Sequence, residues 1–173
     1  GVLHSRKSIK TTNFGLIYGM GIKKLAAGTG LDIETAKELK NAILAALPGV
    51  KRLQRELADL EDDGAPFRTW GKREYFTEEP KWLEGELKHF GYKNLNTTIQ
   101  GSAADVTKEG MLMVRDEIPD CRIAIQVHDE LIVMAPDKSY APRIAAAMCA
   151  LPNLRVPMLA VPKVSTESWG KAQ

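Results

Sequence analysis

The sequence is poor in cysteine and has no long apolar run. Its two cysteines, Cys121 and Cys149, lack the close spacing of metal ligands and are compatible with a reducing cytosol. No segment has the pattern of a signal peptide, a transmembrane helix, a low-complexity tract or an internal repeat. A length of 173 residues, 44% of them hydrophobic, suffices for one ordinary domain or two small subdomains. These features favour a globular cytoplasmic protein without a membrane partner.

Acidic residues are also missing from the N-terminal segment, in which Asp32 is the first. Five cations precede it: Arg6, Lys7, Lys10, Lys23 and Lys24. The whole chain has a net charge of only +2, far from the charge of a general nucleic-acid coat. The uneven distribution of charge therefore predicts a local anion-binding surface near the N-terminus.

Four residues of this segment are spaced four apart: Arg6, Lys10, Phe14 and Tyr18. On a helix this spacing places two cations and two aromatic rings along one stripe. The simpler interpretation is the core face of an amphipathic helix. However, cations oppose the helix dipole at an N-terminus, and the glycine after each ring lowers helix stability by roughly 1 kcal/mol. The stripe therefore favours a binding surface for a polyphosphate and a flat partner such as a nucleobase or sugar.

The string Arg6-x3-Lys10-x3-Phe14-x3-Tyr18 resembles the nucleotide-binding motif of family A (polymerase I-like) DNA polymerases, which lies on the helix of their fingers subdomain. The resemblance implies that Arg6 and Lys10 bind the triphosphate of the incoming dNTP. Lys10 would also be catalytic, as a proton donor to the leaving pyrophosphate. Phe14 would pack on the sugar and base, and Tyr18 would lie near the templating base.

A second motif interrupts two apolar segments near the C-terminus. Apolar residues alternate from Ile123 to Val127 and resume from Leu131 to Met134, which predicts two strands joined by a tight polar turn. By itself, such a turn is compatible with an ordinary surface loop. However, the string Gln-Val-His-Asp-Glu at positions 126–130 resembles a palm motif of the same family.

The palm resemblance implies a role for most of these residues. Asp129 would be a catalytic Mg²⁺ ligand, and His128 would be a further catalytic residue near the primer terminus. Gln126 would contact DNA at the same place. Glu130 is adjacent to the metals in the family and is not expected to be a direct ligand.

Four more residues are predicted to contact DNA. Asn96 and Gln100 are four apart and resemble the family's minor-groove pair, where amide donors can check the shape of a base pair without reading its sequence. Lys93 lies one turn earlier and favours a phosphate contact. The spacing Lys-x2-Asn-x3-Gln at 93–100 is phage-like within the family. Arg73 belongs to a string, Thr-Trp-Gly-Lys-Arg at 69–73, that resembles a basic hairpin.

The hydrophobic patterns predict an α+β chain, with a helical fingers subdomain at 1–92 followed by 93–173, part of an antiparallel palm sheet with flanking helices. The predicted elements begin with a helix capped by Asp32 and ended by Pro48, a helix over 50–60 and a hairpin region over 64–80. A helix from 82 through 93 and beyond and a helix over 103–117 follow, and then a strand pair, a helix over 139–150 and a last strand near Val164.

The family's chemistry requires more than this sequence contains. Its members use two Mg²⁺ ions, bridged by two aspartates, and the second aspartate belongs to a motif that precedes the fingers helix. No such motif occurs here. The resemblance therefore implies a portion of a DNA polymerase that acts on primer-template DNA and dNTP. It would need a second polypeptide carrying the rest of the palm and the thumb, in the cytoplasm of a bacterial or phage-infected bacterial cell.

Two alternatives remain open. A chain with one of the two aspartates could be a non-catalytic subunit that binds DNA or dNTP, or an inactive fragment. A metal-dependent hydrolase built on His128, Asp129 and Glu130 is a third hypothesis, but it leaves the N-terminal stripe unexplained.

Overall fold

The computed structural model of the chain describes Gly15 and residues 19–171. The helices in this part are α1 (Ile22–Thr29), α2 (Ile33–Ala46), α3 (Pro48–Asp62), α4 (Asn94–Glu117) and α5 (Tyr140–Cys149). The strands are β1 (Phe67–Arg68), β2 (Glu74–Tyr75), β3 (Lys81–Leu83), β4 (Glu86–Lys88), β5 (Arg122–Val127) and β6 (Glu130–Met134), and the 3-10 helices are Gly91–Lys93 and Trp169–Lys171. The strands form three antiparallel hairpins. This mixture of helices and small antiparallel sheets confirms the α+β class.

The chain divides into two compact units, of which the first ends at Gln100 and the second begins at Gly101. The predicted boundary between fingers and palm, at 92–93, remains a prediction. Among the described residues, no helix combines the length and the hydropathy that a bilayer crossing requires.

The first unit begins with three helices in succession. Asp32 caps α2 as predicted, because its carboxylate accepts a hydrogen bond from the backbone N–H of Thr35 at 3.0 Å. Hydrogen bonds from Thr35 lower the pKa of Asp32. Helix α2 ends at Ala46, shortly before Pro48. Pro48 is the first residue of α3, a position at which a backbone N–H would have no partner within the helix, so proline costs no hydrogen bond there.

Two apolar clusters hold the first unit together. Leu25, Ala26 and Ala36 form the first, between α1 and α2. Leu57 of α3 packs with Phe67 and Leu95 in the second, so the β1–β2 hairpin and the start of α4 share one core with α3.

The helix predicted from 82 through 93 and beyond is wrong over 82–93, because this segment forms the β3–β4 hairpin and a 3-10 turn. Leu83 pairs with Glu86, so Glu84 and Gly85 form a two-residue loop with φ values of 54° and 78°. Positive φ at both positions is typical of the tight turn that suits the twist of a hairpin. The helix predicted to begin at Ala103 is also wrong at its start, since α4 begins at Asn94.

The second unit contains the rest of α4, the β5–β6 hairpin and α5. Val114 of α4 and Ile118, the residue after its end, pack with Ala147 of α5. The two helices approach closely at Gly110, where an added Cβ would lie 2.9 Å from the backbone oxygen of Met148. The strand pair predicted from the alternation of apolar residues is confirmed, and β5 has a bulge between Ile123 and Ile125.

The last predicted strand, near Val164, does not form in the described part of the second unit, where the only paired strands are β5 and β6. A strand needs a neighbour that completes its backbone hydrogen bonds. The segment is instead irregular and leaves apolar side chains in solvent, with Leu159 84% exposed and Val161 72% exposed.

Candidate metal and nucleic-acid site

The tip of the β5–β6 hairpin displays the predicted palm residues. Val127 pairs with Glu130, which leaves His128 and Asp129 as a two-residue loop. His128 has φ of 53°, and two-residue hairpin loops require a positive φ at the first position. Histidine is among the residues enriched in this left-handed region. Both side chains are exposed as a result.

Neighbouring side chains hold this tip. The amide of Gln126 donates a hydrogen bond to the backbone carbonyl of His128. The indole N–H of Trp169 donates to Oε1 of Glu130 at 2.9 Å, which ties the C-terminal 3-10 turn to the hairpin. The structure thus brings Gln126, His128 and Asp129 together at one end of the second unit. The bond to Trp169 was not predicted, and no sequence signal links residues so far apart.

The tip by itself does not complete a metal centre. The carboxylate of Asp129 is a hard oxygen ligand of the type that Mg²⁺ prefers. However, within Gly15 and 19–171 no three His, Cys, Asp or Glu side chains are grouped so that they could hold a metal ion. This finding also weighs against the hydrolase hypothesis, which needs His128, Asp129 and Glu130 to act as one ligand set.

The predicted minor-groove pair lies on the first turns of α4. Asn96 and Gln100 are both exposed and lie on the same side of the helix, since residues four apart are neighbours on its surface. The residues beside Asn96 anchor this end: Leu95 is buried, and the buried side chain of Asn94 donates to the hydroxyl of Thr77 at 2.8 Å.

Lys93 precedes α4, and its ammonium group is already paired. Nζ of Lys93 lies 2.6 Å from Oε2 of Glu78 and 4.2 Å from the centre of the Phe90 ring. Nζ of Lys81 lies 2.8 Å from Oε1 of the same carboxylate. Hydrogen bonds from Lys81 and from Lys93 lower the pKa of Glu78 to about 2. The sequence did not predict this cluster, because the segment from 82 through 93 and beyond was assigned to a helix and the strands β3 and β4 are only three residues long.

Arg73 lies at the end of the loop between β1 and β2, as the basic-hairpin interpretation predicts. Its guanidinium donates to the hydroxyl of Tyr75 at 2.8 Å and lies 5.6 Å from the centre of that ring. Its backbone N–H donates to the hydroxyl of Thr69 at 3.2 Å. The orientation of the half-buried Arg73 side chain is therefore set by contacts within its own hairpin.

The predicted nucleotide-binding residues, Arg6, Lys10, Phe14 and Tyr18, lie outside the described residues. Gly19, which follows this stripe, is described. It has φ of 84°, and an added Cβ would lie 3.2 Å from the backbone oxygen of Tyr92. Backbone conformation and a close approach therefore both favour glycine at this position.

The chain is similar to known proteins. The family model described as DNA polymerase family A matches residues 3–171. DNA polymerase I of Helicobacter pylori is 33% identical over 163 residues, which cover 91% of this chain and 18% of that protein. The DNA polymerase of Mycobacterium phage L5 is 32% identical over 169 residues, which cover 95% of this chain and 27% of that protein. The chain thus spans about a quarter or less of the length of these relatives.

A solved structure is also similar. The POL domain of Pol1 from M. smegmatis, in complex with DNA primer-template and dNTP, aligns with 83% of this chain and 26% of its own chain. The TM-score is 0.69, and 27% of the aligned residues are identical.

Proposed function

The chain belongs to DNA polymerase family A, and from this we propose that it carries the nucleotide-binding helix and one catalytic carboxylate of a template-directed DNA polymerase. The observation that carries the proposal is the exposed His128-Asp129 loop at the tip of a hairpin, in a chain that matches the family over 3–171. An exposed carboxylate at the tip of a hairpin can reach a substrate without first breaking a contact within the protein.

The substrates we propose are primer-template DNA and dNTP. The solved relative from M. smegmatis is described with both bound, which supports the assignment. In our proposal Arg6 and Lys10 bind the triphosphate, while Phe14 and Tyr18 pack beside the nucleotide. Gln126, Asn96 and Gln100 contact the duplex together with Lys93 and Arg73. We place the protein in the cytoplasm of a bacterial or phage-infected cell, where its named relatives from H. pylori and mycobacteriophage L5 suggest it acts.

The proposed reaction joins the primer 3′-hydroxyl to the α-phosphorus of the dNTP and breaks the bond to pyrophosphate. Lys10 supplies a proton to the departing pyrophosphate. Asp129 contributes one carboxylate to a divalent-metal centre, and the described residues contain no partner group that would complete it. A second aspartate must therefore come from another segment or chain.

Exposed apolar surface supports this need for a partner. In the second unit Leu159 and Val161 are largely exposed, and the β5–β6 hairpin exposes Ile125 and Met134. Extensive exposed apolar surface commonly marks an interface. We propose that the rest of the palm, carried with the thumb by a second polypeptide, covers it, with 93–173 as the C-terminal half of the palm and 1–92 as the fingers.

Primer extension tests the proposal. The purified chain, together with any polypeptide that co-purifies with it, is expected to extend a labelled primer in the presence of Mg²⁺ and dNTP. Asp129→Asn is expected to reduce extension by at least about 100-fold, as is usual for loss of a group that acts on the transition state. Asp116→Asn, at an exposed aspartate paired with Arg115, is the matched control and should retain activity.

A non-catalytic DNA-binding or dNTP-binding subunit is the second candidate, and the incomplete ligand set in the described part of the chain favours it. Duplex binding without extension, unchanged by Asp129→Asn, would select this candidate. Equal extension by the wild type and Asp129→Asn would contradict the role proposed for Asp129.

A further inference from the structure

A carboxylate of the first unit lies between two ammonium groups. Oε1 of Glu78 is 2.8 Å from Nζ of Lys81, and Oε2 is 2.6 Å from Nζ of Lys93. One oxygen therefore faces each lysine. A phosphodiester group also presents two charged oxygens on one centre, so the pair of lysines that binds Glu78 has the charge and spacing to bind a backbone phosphate.

The two lysines are held by groups other than Glu78. The buried ring of Phe90 lies 4.2 Å from Nζ of Lys93 and 5.8 Å from Nζ of Lys81, within the range of cation–π attraction. Lys93 is also fixed by the 3-10 turn, in which its backbone N–H donates to the carbonyl of Phe90 at 2.9 Å. The lysines can thus keep their positions when the carboxylate leaves.

The residue next to Glu78 is anchored as well. The preceding residue, Thr77, accepts a hydrogen bond at 2.8 Å from Asn94, whose side chain is only 3% exposed. Glu78 is therefore directed at the lysines by a buried contact next to it in sequence, rather than by the ion pairs alone.

We propose that Lys81 and Lys93 form a binding site for a backbone phosphate of nucleic acid, and that Glu78 occupies this site as an internal competitor until nucleic acid displaces it. The proposal rests on the proposed function, since it takes the duplex as the ligand. It adds Lys81 as a binding residue and Glu78 as a residue that weakens binding.

The magnitudes permit such an exchange. Exposed ion pairs contribute little to stability because water screens them, so Glu78 can be displaced at low cost. A DNA phosphate adds the gain from counterion release, which a single carboxylate of the protein does not have. After displacement, Glu78 stays close to the phosphate and repels it. The expected result is a contact that holds the duplex and releases it readily.

The location favours a polymer over a free phosphate. Lys93 directly precedes α4, whose exposed Asn96 and Gln100 lie within the next two turns. A duplex that contacts these amides has phosphates at regular spacing on either side of the groove. A free triphosphate has no groove edge with which Asn96 and Gln100 could pair.

Equilibrium binding of a labelled primer-template duplex, measured by fluorescence anisotropy over a series of KCl concentrations, tests the proposal. Glu78→Gln is expected to bind about 3- to 10-fold more tightly than the wild type. The plot of log Kd against log salt should also become steeper by about 1, the effect of one additional phosphate contact. Adding Lys81→Met to Glu78→Gln should remove most of the gain.

Glu86→Gln is the matched control. Glu86 is exposed and pairs with Lys88 in the same hairpin, so the substitution changes the net charge equally without freeing Lys81 or Lys93. Equal gains in Glu78→Gln and Glu86→Gln would overturn the proposal, as would unchanged duplex binding in Glu78→Gln. A gain in binding of free tripolyphosphate without a gain for the duplex would also overturn it.

These outcomes are separate from those for the proposed function. Primer extension that depends on Asp129, with no effect of Glu78→Gln on duplex binding, would leave the polymerase proposal standing and reject the phosphate site. Tighter duplex binding by Glu78→Gln in a preparation that shows no extension would support the phosphate site and reject the polymerase proposal.

Discussion

The sequence predicted roles for single residues, and the structure adds the contacts and backbone conformation of each. Lys93 was predicted from its place in a family motif to contact phosphate, and the structure adds that a carboxylate of the protein already holds it. His128 was predicted to lie in a turn, and it does so with positive φ. Its role near a primer terminus stays a prediction.

The Glu78 cluster makes a prediction at this scale. Replacing Lys81 by Met is expected to raise the pKa of Glu78 from about 2 toward its ordinary value of 4.5, and Lys93→Met should act in the same direction. NMR titration of the Glu78 carboxyl carbon measures this shift. Lys88→Met, which removes the partner of Glu86 instead, should leave the pKa of Glu78 unchanged.

The sign of the linked stability follows from the lowered pKa. Since Glu78 is harder to protonate in the folded protein, its pairing stabilises the fold above about pH 4.5, and this contribution is lost as the pH falls toward 2. A pKa of Glu78 that is already ordinary in the wild type would show that the two lysines do not hold it in solution.

Among the elements, those with strong local signals were predicted well. Asp32 is followed by an apolar residue at nearly every turn, so α2 and its cap were predictable. The β3–β4 hairpin was not, because its strands are only three residues long and their polar residues also fit a helix. Short strands depend on pairing, which a local pattern does not contain.

The contact between α4 and α5 makes a prediction at the scale of elements. Gly110→Ala is expected to destabilise the fold by about 1–3 kcal/mol, because the added Cβ would lie 2.9 Å from the backbone oxygen of Met148. Chemical denaturation followed by circular dichroism measures the change.

Gly49→Ala is the matched control, since Gly49 lies in α3 with nothing within 4 Å of an added Cβ. Alanine there should be neutral or stabilising, by up to about 1 kcal/mol. Equal effects of the two substitutions would mean that α4 and α5 do not approach closely at Gly110.

For the whole molecule, the main feature is apolar surface that the second unit leaves in solvent. The exposed apolar residues of this unit include Leu159, Val161, Ile125 and Met134. In a protein that works alone, such side chains would favour aggregation. The purified chain is therefore expected to self-associate or to bring a partner polypeptide with it.

Sedimentation velocity combined with binding of an apolar dye tests this expectation. Leu159→Ser is expected to lower both dye binding and association, whereas Phe76→Ser, at an exposed phenylalanine of the first unit, should change association less. A monomer that binds no dye would contradict the proposed interface.

The sequence by itself determined the family, the α+β class and the hairpin that carries Asp129, because each of these can be predicted from the spacing of nearby residues or from the alternation of apolar residues. It also predicted that Asn96 and Gln100 would share one face if their segment was helical, and the structure shows that it is. Only the tertiary structure decided that Glu78 lies between Lys81 and Lys93, that Trp169 contacts Glu130, and that the segment near Val164 forms no strand among the described residues. These features depend on contacts between residues distant in sequence, and local patterns do not encode them.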